Sequence, residues 1–459
     1  MVKIIFNNFL IRKFIQKDID NQYISWFNDK TNLKYSRHKS KIYTKKQLSN
    51  YLKNHEKNLN SLFLVCFDRK KKIKVATLTV YIDKHTKVAN VGILIGENKY
   101  LGKGLSKKIL DKVFNYIFNK LNLTRIIMGT DVRNKPMIKS CFSLGMKKRN
   151  EYKFRGKKII SFQKSKNNLS YVGVVCKDLG AATQIFHYIK KDKKNNYLLF
   201  LQEPSKKLFI ENKNSNQIIC NNINKIYMCC DYVLFGTGNS NFEKENMFKI
   251  RKFNLKINAV VDHLTNFRKR FNFKKYKIIP DKILVFDSII FKHLIKFEKI
   301  IKLPNYYLKD IKKKFVNFKI QNKNLLFIGE PFNKTINKNS IDQVGIRYLA
   351  ETLNKFKFLN KMNLVIRLHP KQFLKDYLGY KKIFQKYNPQ INVILDSNKE
   401  LYKSIKSAKF VFGITSYALL LSANLGVKTF HCIKNNQKIR PLPSKNILSL
   451  NKLIIKRKK

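Results

Sequence analysis

The stretch that decides the fold of the N-terminal third reads Val88-Ala-Asn-Val-Gly-Ile-Leu-Ile-Gly-Glu-Asn-Lys-Tyr-Leu-Gly-Lys-Gly-Leu-Ser106. It opens as an apolar strand and passes through a loop that contains Gly102 and Gly104. Apolar residues then recur every three or four positions, which predicts one buried stripe on a helix. The stripe consists of Leu105, Ile109, Leu110, Val113, Phe114, Ile117, Phe118 and Leu121. The pattern therefore predicts a strand, a glycine loop and an amphipathic helix in direct succession.

The glycine loop is a candidate anion site. A loop that opens a helix presents several backbone N–H groups at the positive end of the helix dipole, where a pyrophosphate can bind. Gly102 and Gly104 lack a Cβ, so the backbone there can approach phosphate oxygens closely. Taken alone, the Gly-x-Gly pattern also fits a plain turn.

The context of the loop resembles a known family, the GNAT superfamily of acetyl-CoA-dependent N-acetyltransferases, over residues 1–162. The segment from Lys99 to Gly104 is similar to that family's pyrophosphate motif, with Lys99 in place of the usual Gln or Arg. Asn134-x-x-Met-Ile resembles the segment that lines the pantetheine arm of the coenzyme. The resemblance implies acetyl-CoA as cosubstrate and a mixed central sheet flanked by helices. It implies these coenzyme-binding residues: Lys99, Leu101, Gly102, Lys103, Gly104, Leu105 and Asn134.

Acetyl transfer needs a base that accepts a proton from the acceptor amine. Glu97 follows the central strand and is the candidate, directly or through water, although it also fits a solvated loop carboxylate. The family often has a tyrosine acid seven residues after the Asn; Cys141 stands at that position here, so the acid is left unassigned. The stretch Tyr23-Ile-Ser-Trp-Phe-Asn-Asp29 resembles a branch that acetylates ribosomal-protein N-termini, polyamines and nucleotide-linked amino sugars.

Two further alternations of strand and helix signals follow, so the whole chain is predicted to be α/β. A polar stretch over residues 163–168 is expected to be a linker. The predicted domains are 1–165, 170–310 and 322–459. The last two are expected to be Rossmann-like units in a GT-B arrangement, with a nucleotide-sugar cleft between them.

Polar residues follow several predicted strands of these two units. Ligands of parallel sheets bind at the carboxyl ends of strands, which makes such residues site candidates. Each also has a structural alternative, such as a turn glycine, a helix cap or a solvated charge. The candidates are Gly236, Asp262, His263, Arg268, His369, Pro370, Thr415 and Ser416.

In this half the sequence resembles bacterial sialyltransferases and polysialyltransferases of GT-B form. Arg-Leu-His369-Pro370 and Thr415-Ser416 are similar to two short motifs of those enzymes. The resemblance implies that the His-Pro motif holds a cytidine monophosphate donor and that the Ser/Thr motif holds its phosphate. Asp262 is the candidate base, and His263 is the second candidate. A nucleotide-sugar hydrolase of the same fold and an inert glycan-binding module are the alternatives.

Composition limits the partners and the compartment. The chain of 459 residues has 96 Lys and Arg against 28 Asp and Glu, a formal charge of +68. The lysines are spread throughout, alongside much Asn and Ile, which favours a compositional bias of the whole proteome. Attraction to anionic nucleotides or to an anionic inner membrane surface is the alternative, and no nucleic-acid ligand is expected. None of the seven cysteines forms a CxxC pair, which favours reduced thiols in the cytoplasm and no metal site. No apolar run approaches the ~20 residues of a membrane helix, and no signal peptide is expected.

The fusion indicates one pathway, the acetylation of an amino sugar destined for a surface glycan. The chain is thus predicted to be an N-acetyltransferase joined to a glycosyltransferase-like module. The alternatives for the first activity are a ribosomal-protein acetyltransferase, including an RNA-associated form, and a polyamine acetyltransferase.

Overall fold

The computed structural model describes residues 2–455 except 30, 36–41, 167–168, 213–214, 239, 265–266, 298, 317–322, 331–334, 337–338, 371, 399 and 435–438. The chain divides into two compact units. The first comprises Met1–Val261 and Thr265–Leu284, and the second comprises Asp262–Leu264 and Val285–Lys459.

The first unit begins with an eight-stranded mixed sheet in the order β1-β2-β3-β4-β5-β6-β8-β7. Its strands are β1 (Lys3–Phe6), β2 (Phe9–Lys13), β3 (Ser61–Asp68), β4 (Ile73–Asp83), β5 (Val88–Ile95), β6 (Arg125–Asp131), β7 (Lys147–Phe154) and β8 (Lys157–Ser165). Its helices are α1 (Asn21–Asn28), α2 (Lys45–Lys57), α3 (Leu105–Asn119) and α4 (Lys135–Ser143). The succession of β5, loop and α3 confirms the prediction from the sequence.

The buried stripe of α3 explains how the helix is held. Seven of its eight predicted apolar residues are buried in the core of the sheet, and Leu121 packs against that core. Burying such a side chain contributes on the order of 1.5–3 kcal/mol. The helix is therefore fixed by packing, and its N-terminus is held at the end of β5.

Strands β5 and β6 are the one parallel pair among the neighbours described in this sheet, and they pair over only a short distance. The ladder joins Val88, Ala89 and Asn90 to Arg125, Ile126 and Ile127 and then stops. Beyond it β5 continues against β4, and β6 continues against β8. The sheet therefore opens between the two strands on the side where the glycine loop begins.

The second sheet of the first unit is parallel in its described pairings. Strands β11, β10, β9, β12, β13 and β16 lie side by side in that order. The strands are β9 (Ser170–Cys176), β10 (Asn195–Leu201), β11 (Gln217–Ile219), β12 (Tyr232–Gly236), β13 (Lys256–Val260) and β16 (Lys282–Val285), with a hairpin of β14 (Asn272–Phe273) and β15 (Tyr276–Lys277). The helices are α5 (Leu179–Lys191), α6 (Ser205–Glu211), α7 (Ile223–Cys229) and α8 (Asn241–Lys252).

The second unit contains another parallel sheet, in the order β22-β21-β18-β23-β24-β25. The strands of that sheet are β18 (Asn324–Ile328), β21 (Asn363–Arg367), β22 (Val393–Leu395), β23 (Ala408–Gly413), β24 (Lys428–His431) and β25 (Ile447–Ser449). The unit also contains β17 (Ile300–Lys302) and a hairpin of β19 (Thr335–Ile336) and β20 (Asn339–Ser340). Its helices are α9 (Ser288–Leu294), α10 (Tyr306–Val316), α11 (Ile341–Leu353), α12 (Leu374–Tyr387), α13 (Leu401–Ser407), α14 (Tyr417–Asn424) and α15 (Asn451–Ile455).

In both parallel sheets the first strand along the chain lies in the middle, and the strand order reverses at that point. This is the strand order of doubly wound nucleotide-binding sheets. The alternation of strands and helices that the sequence predicts is present in both parallel sheets and their helices. The GT-B arrangement of the two sheets, and the domain boundaries at 165–170 and 310–322, stay predictions.

A buried arginine joins the mixed sheet to the parallel sheet of the first unit. Arg125, 1% exposed, donates to both carboxylate oxygens of Asp231 at 3.1 and 2.9 Å. It also donates to the carbonyls of Leu169 at 2.8 Å and Cys229 at 2.9 Å, and its guanidinium lies 4.4 Å from the ring centre of Tyr171. The expected linker over 163–168 is wrong in its first part, because β8 runs to Ser165 and that side chain binds Arg125.

Candidate functional site

The glycine loop has the backbone that its sequence predicts. Gly102 and Gly104 have φ angles of 74° and 70°, in the left-handed region that strongly favours glycine. A Cβ built on either would meet no atom within 4 Å, so the space beside the loop is open. Gly104 is the N-cap of α3, and the first N–H groups of a helix have no acceptor within it. The loop therefore offers backbone donors to open space at the positive end of a long helix.

The side chains around the loop add positive charge. Lys99 and Lys103 are exposed on the loop, and Lys107 and Lys108 are exposed on the first turn of α3. Leu105 is buried and anchors the helix start, so its predicted coenzyme contact would come from its backbone. This combination suits a pyrophosphate.

Asn134 lies directly after β6, beside the opening in the sheet. Its Oδ1 accepts a hydrogen bond from the backbone N–H of Met137 at 3.3 Å, which makes Asn134 the N-cap of α4. Its Nδ2 donates to Thr130 Oγ1 at 3.1 Å. These bonds fix the side chain as a helix cap, and its predicted role in coenzyme binding stays a prediction.

Glu97 follows β5 and is half-buried. Its Oε1 accepts two hydrogen bonds, from Gln22 Nε2 at 2.7 Å and from Trp26 Nε1 at 3.1 Å. Its Oε2 accepts no hydrogen bond from any residue in the described part of the chain. The carboxylate is thus oriented by α1 through its Oε1. Gln22 was not predicted from the sequence.

Cys141, which stands where the family often has its acid, is 1% exposed. Burial raises the pKa of its thiol to about 12. The side chain packs in the core of the mixed sheet, in agreement with the alternative of a buried helix thiol. The proton donor for the departing thiol therefore stays unassigned.

In the second unit, three neighbouring strands end in polar residues. Strands β21, β18 and β23 are adjacent, and their carboxyl ends lead into His369, Glu330 and Thr415 respectively. Thr415 donates its N–H to Glu330 Oε2 at 3.0 Å and its hydroxyl to Glu330 Oε1 at 3.0 Å. His263 Nε2 donates to the carbonyl of Thr415 at 2.8 Å. The structure thus brings His263 and Thr415 together around a carboxylate that sequence reasoning missed.

Burial raises the pKa of the Glu330 carboxyl, and the bonds from Thr415 and the nearby His263 oppose that shift. The only sequence signal for this residue is an acidic side chain directly after a buried strand, in Ile328-Gly-Glu330. Of the two residues predicted to hold a phosphate, Thr415 therefore donates to a carboxylate of the chain itself.

The His-Pro segment is held through its backbone. The N–H of His369 donates to Gln372 Oε1 at 2.9 Å, and Gln372 Nε2 donates to Asp342 Oδ2 at 3.2 Å. Pro370 is exposed. Arg367, in the same motif, donates to Asp396 Oδ2 at 2.6 Å and therefore ties β21 to the end of β22.

Ser416 is the N-cap of α14, and its hydroxyl accepts from the N–H of Ala418 at 3.3 Å. This is the capping role that was the structural alternative for Ser416.

The remaining predicted site residues, Gly236, Arg268 and Asp262, lie in separate environments. A Cβ at Gly236 would overlap the thiol of Cys176, so close packing accounts for this glycine. Arg268 is exposed, as the reading of a solvated charge expects, and Asp262 is half-buried after β13. Arg270, which was not among the predicted site residues, is buried and donates to the carbonyl of Thr237.

The described residues contain no group of three or more His, Cys, Asp or Glu placed to hold a metal ion. None of the helices described has both the length and the apolar character needed to cross a bilayer.

The comparison with known proteins finds a family match for the part of the chain that contains the mixed sheet. Residues 8–147 match the family model of the acetyltransferase (GNAT) domain, which confirms the resemblance predicted for this part of the chain. The search of curated proteins found no relative of the chain.

Three solved structures illustrate the similarity. The ribosomal-protein-S5-alanine acetyltransferase from Vibrio fischeri is 18% identical, with 37% of this chain and 98% of that chain covered and a TM-score of 0.32. A GNAT-family acetyltransferase from Bacillus anthracis is 19% identical, with coverages of 36% and 98% and a TM-score of 0.32. The spermidine N-acetyltransferase from Vibrio cholerae, in complex with CoA and spermine, is 16% identical, with coverages of 34% and 95% and a TM-score of 0.31.

Proposed function

We propose that this chain, whose residues 8–147 form a GNAT acetyltransferase domain, acetylates the amine of a nucleotide-linked amino sugar. GNAT acetyltransferases use acetyl-CoA, which supplies the acetyl group. The observation that carries the proposal is the open glycine loop at the start of α3, with left-handed Gly102 and Gly104 and exposed lysines. Its backbone donors bind the pyrophosphate without help from a metal ion.

Once the coenzyme is bound, acetyl transfer requires few further side chains. The backbone of β5 beyond Asn90 is released from β6, so those of its amides that do not pair with β4 are available to the coenzyme and to the thioester carbonyl. Glu97 Oε2 accepts the proton that the acceptor amine loses when its nitrogen bonds to the acetyl carbon. The thiol of the coenzyme leaves with a proton whose donor is unassigned.

The acceptor is proposed from charge and from the Tyr23–Asp29 stretch. A formal charge of +68 attracts an anionic nucleotide-linked substrate and repels a polycation such as a polyamine. A ribosomal-protein acetyltransferase is the second candidate for the same site.

For the second unit we propose a nucleotide-sugar site, used for glycosyl transfer. It is supported by the polar residues at the ends of adjacent parallel strands: His263, Glu330, His369, Thr415 and Ser416. In this proposal His369 and the start of α14 bind the donor, and Asp262 is the base with His263 as the second candidate. A hydrolase and an inert glycan-binding module are the alternatives. We place the protein in the cytoplasm, where its positive charge favours an anionic membrane surface.

The test of the first activity uses the full chain and acetyl-CoA with three acceptors in a thiol-release assay. We expect a UDP-linked 4-amino sugar to give a higher kcat/KM than spermidine or an N-terminal peptide of a ribosomal protein. Glu97→Gln should abolish turnover and keep acetyl-CoA affinity, because the base acts on the amine. A higher kcat/KM for the peptide, together with salt-sensitive co-sedimentation with ribosomes, would favour the ribosomal reading.

A further inference from the structure

Two donors from one face of α1 meet the same oxygen of Glu97. Gln22 and Trp26 are four residues apart on α1, so their side chains lie on the same side of the helix. Gln22 Nε2 lies 2.7 Å from Glu97 Oε1, and Trp26 Nε1 lies 3.1 Å from it. Gln22 Nε2 also lies 3.2 Å from the carbonyl of Lys74, which fixes the amide in this orientation.

The backbone that carries Glu97 is held as firmly as its side chain. The indole of Trp26, 2% exposed, lies where a Cβ of Gly96 would stand, so only glycine fits at that position. Asn32 Nδ2 donates to the carbonyl of Gly96 at 2.9 Å. The segment that enters the glycine loop therefore has little freedom to move Glu97.

The two oxygens of the Glu97 carboxylate therefore differ in their hydrogen bonds. Oε1 is saturated by N–H donors, and Oε2 has no partner among the residues described. A positioned base must reach the proton that it abstracts, within about 2.6–3.2 Å or through one water. Fixing Oε1 sets the direction of the Oε2 lone pairs.

We propose that Gln22 and Trp26 are positioning residues that hold Glu97 by Oε1 and present Oε2 to the acceptor amine. The inference rests on the proposed role of Glu97 as base. Neither residue contacts the reacting atoms in this proposal; both act through Glu97.

The test compares Gln22→Leu with Gln16→Leu in the full chain. Gln16 makes one exposed side-chain bond, to Ser49 Oγ at 2.8 Å, so the control removes an amide of the same size from the same domain without touching Glu97. For Gln22→Leu we expect kcat to fall about tenfold with the KM for acetyl-CoA unchanged. A tenfold loss corresponds to about 1.4 kcal/mol, close to what a hydrogen bond to a charged group contributes, and the unchanged KM separates lost positioning of the base from lost coenzyme binding.

Trp26 supplies a folding control, because it is the only tryptophan of the chain. Its emission maximum should be the same in wild type and Gln22→Leu if the indole stays buried. The inference is overturned if the kcat of Gln22→Leu stays at the wild-type value, if the loss falls on the KM for acetyl-CoA instead, or if Gln16→Leu shows the same loss of kcat. Full turnover by Glu97→Gln would overturn the base role and, with it, this inference.

Discussion

Two helices of this protein begin at predicted anion sites, and their beginnings differ in what occupies the donors. Helix α3 starts at Gly104, beside open space, and no side chain of the N-cap residue binds its first N–H groups. Helix α14 starts at Ser416, after Thr415, whose N–H and hydroxyl are both bound to Glu330. The start of α3 is open to an anion from outside, whereas the donors of Thr415 beside the start of α14 are bound to a carboxyl group of the chain.

The difference teaches how a local motif depends on distant residues. The loop of α3 contains its own determinants, since the glycines and lysines are contiguous in sequence. The partner of Thr415 lies 85 residues earlier in the chain and reaches it only because β18 and β23 are neighbours. A Thr-Ser pair before a helix therefore predicts a cap or an anion site equally well.

The largest expected effect concerns the open helix start. Gly104→Val should weaken acetyl-CoA binding by about 10- to 150-fold, because it removes about one charge-assisted bond of about 1.5–3 kcal/mol. Valine is strained at a φ of 70° and fills the open space. Calorimetry on the full chain measures the change.

Gly156→Val is the matched control for this variant. Gly156 has a φ of 75° and equally open surroundings, but it lies in the turn between β7 and β8. It should suffer the same backbone strain and keep its acetyl-CoA affinity. Unchanged affinity in a folded Gly104→Val variant would refute the assignment of the loop.

A smaller effect is expected at the occupied helix start. Glu330→Gln should bind cytidine monophosphate about tenfold more tightly than wild type at pH 8, about 1.4 kcal/mol, because a phosphate no longer competes with a carboxylate. Two charged groups near Glu330 modify the size of the effect: His263 favours the carboxylate, and Asp342 opposes it. Equilibrium dialysis at pH 6 and pH 8 measures the difference.

The sign of the pH dependence follows from burial, which raises the pKa of Glu330. The folded chain binds this proton more tightly than the unfolded chain, so the contribution of Glu330 to stability falls as pH rises from the ordinary pKa of a glutamate through the raised one. A phosphate favours the protonated form further, so wild-type affinity should rise as pH falls, and the Gln variant should lose that contribution.

Glu351→Gln is the matched control, because Glu351 pairs at the surface with Arg347. A wild-type affinity equal to that of Glu330→Gln at both pH values would contradict the competition. Failure of CMP, CDP and UDP to bind either protein at millimolar concentration would show that the glycosyltransferase proposal is wrong.

The smallest expected effect concerns the N-caps of the two helices. A side chain caps α14, whereas none caps α3. Ser416→Ala should lower the free energy of unfolding by about 1 kcal/mol, because the hydroxyl that accepts from Ala418 is lost. Gly104 makes no side-chain cap, so Ser106→Ala at the start of α3 should have little effect. The midpoint of urea unfolding compares the two variants. Equal shifts would contradict the distinction.

Contiguous features of the molecule could be predicted from the sequence. The stripe of α3 and the parallel strands were predictable because apolar periodicity and turn residues act within one segment. The contacts that orient the candidate sites were not, because they join distant positions. Gln22 and Glu97 are 75 residues apart, and His263 and Thr415 are 152 residues apart. No local pattern specifies such pairs, since strand order decides which residues meet.

Arg125 has a consequence for any shorter version of this chain. A chain that ended after Ser165 would lose Asp231 and the carbonyls of Leu169 and Cys229, which both bind and cover the guanidinium. Water would then replace these partners, so the arginine would become a hydrated surface charge and not a buried unpaired one. A charged side chain at this junction therefore gives the mixed sheet a polar surface at the place where the parallel sheet would be removed.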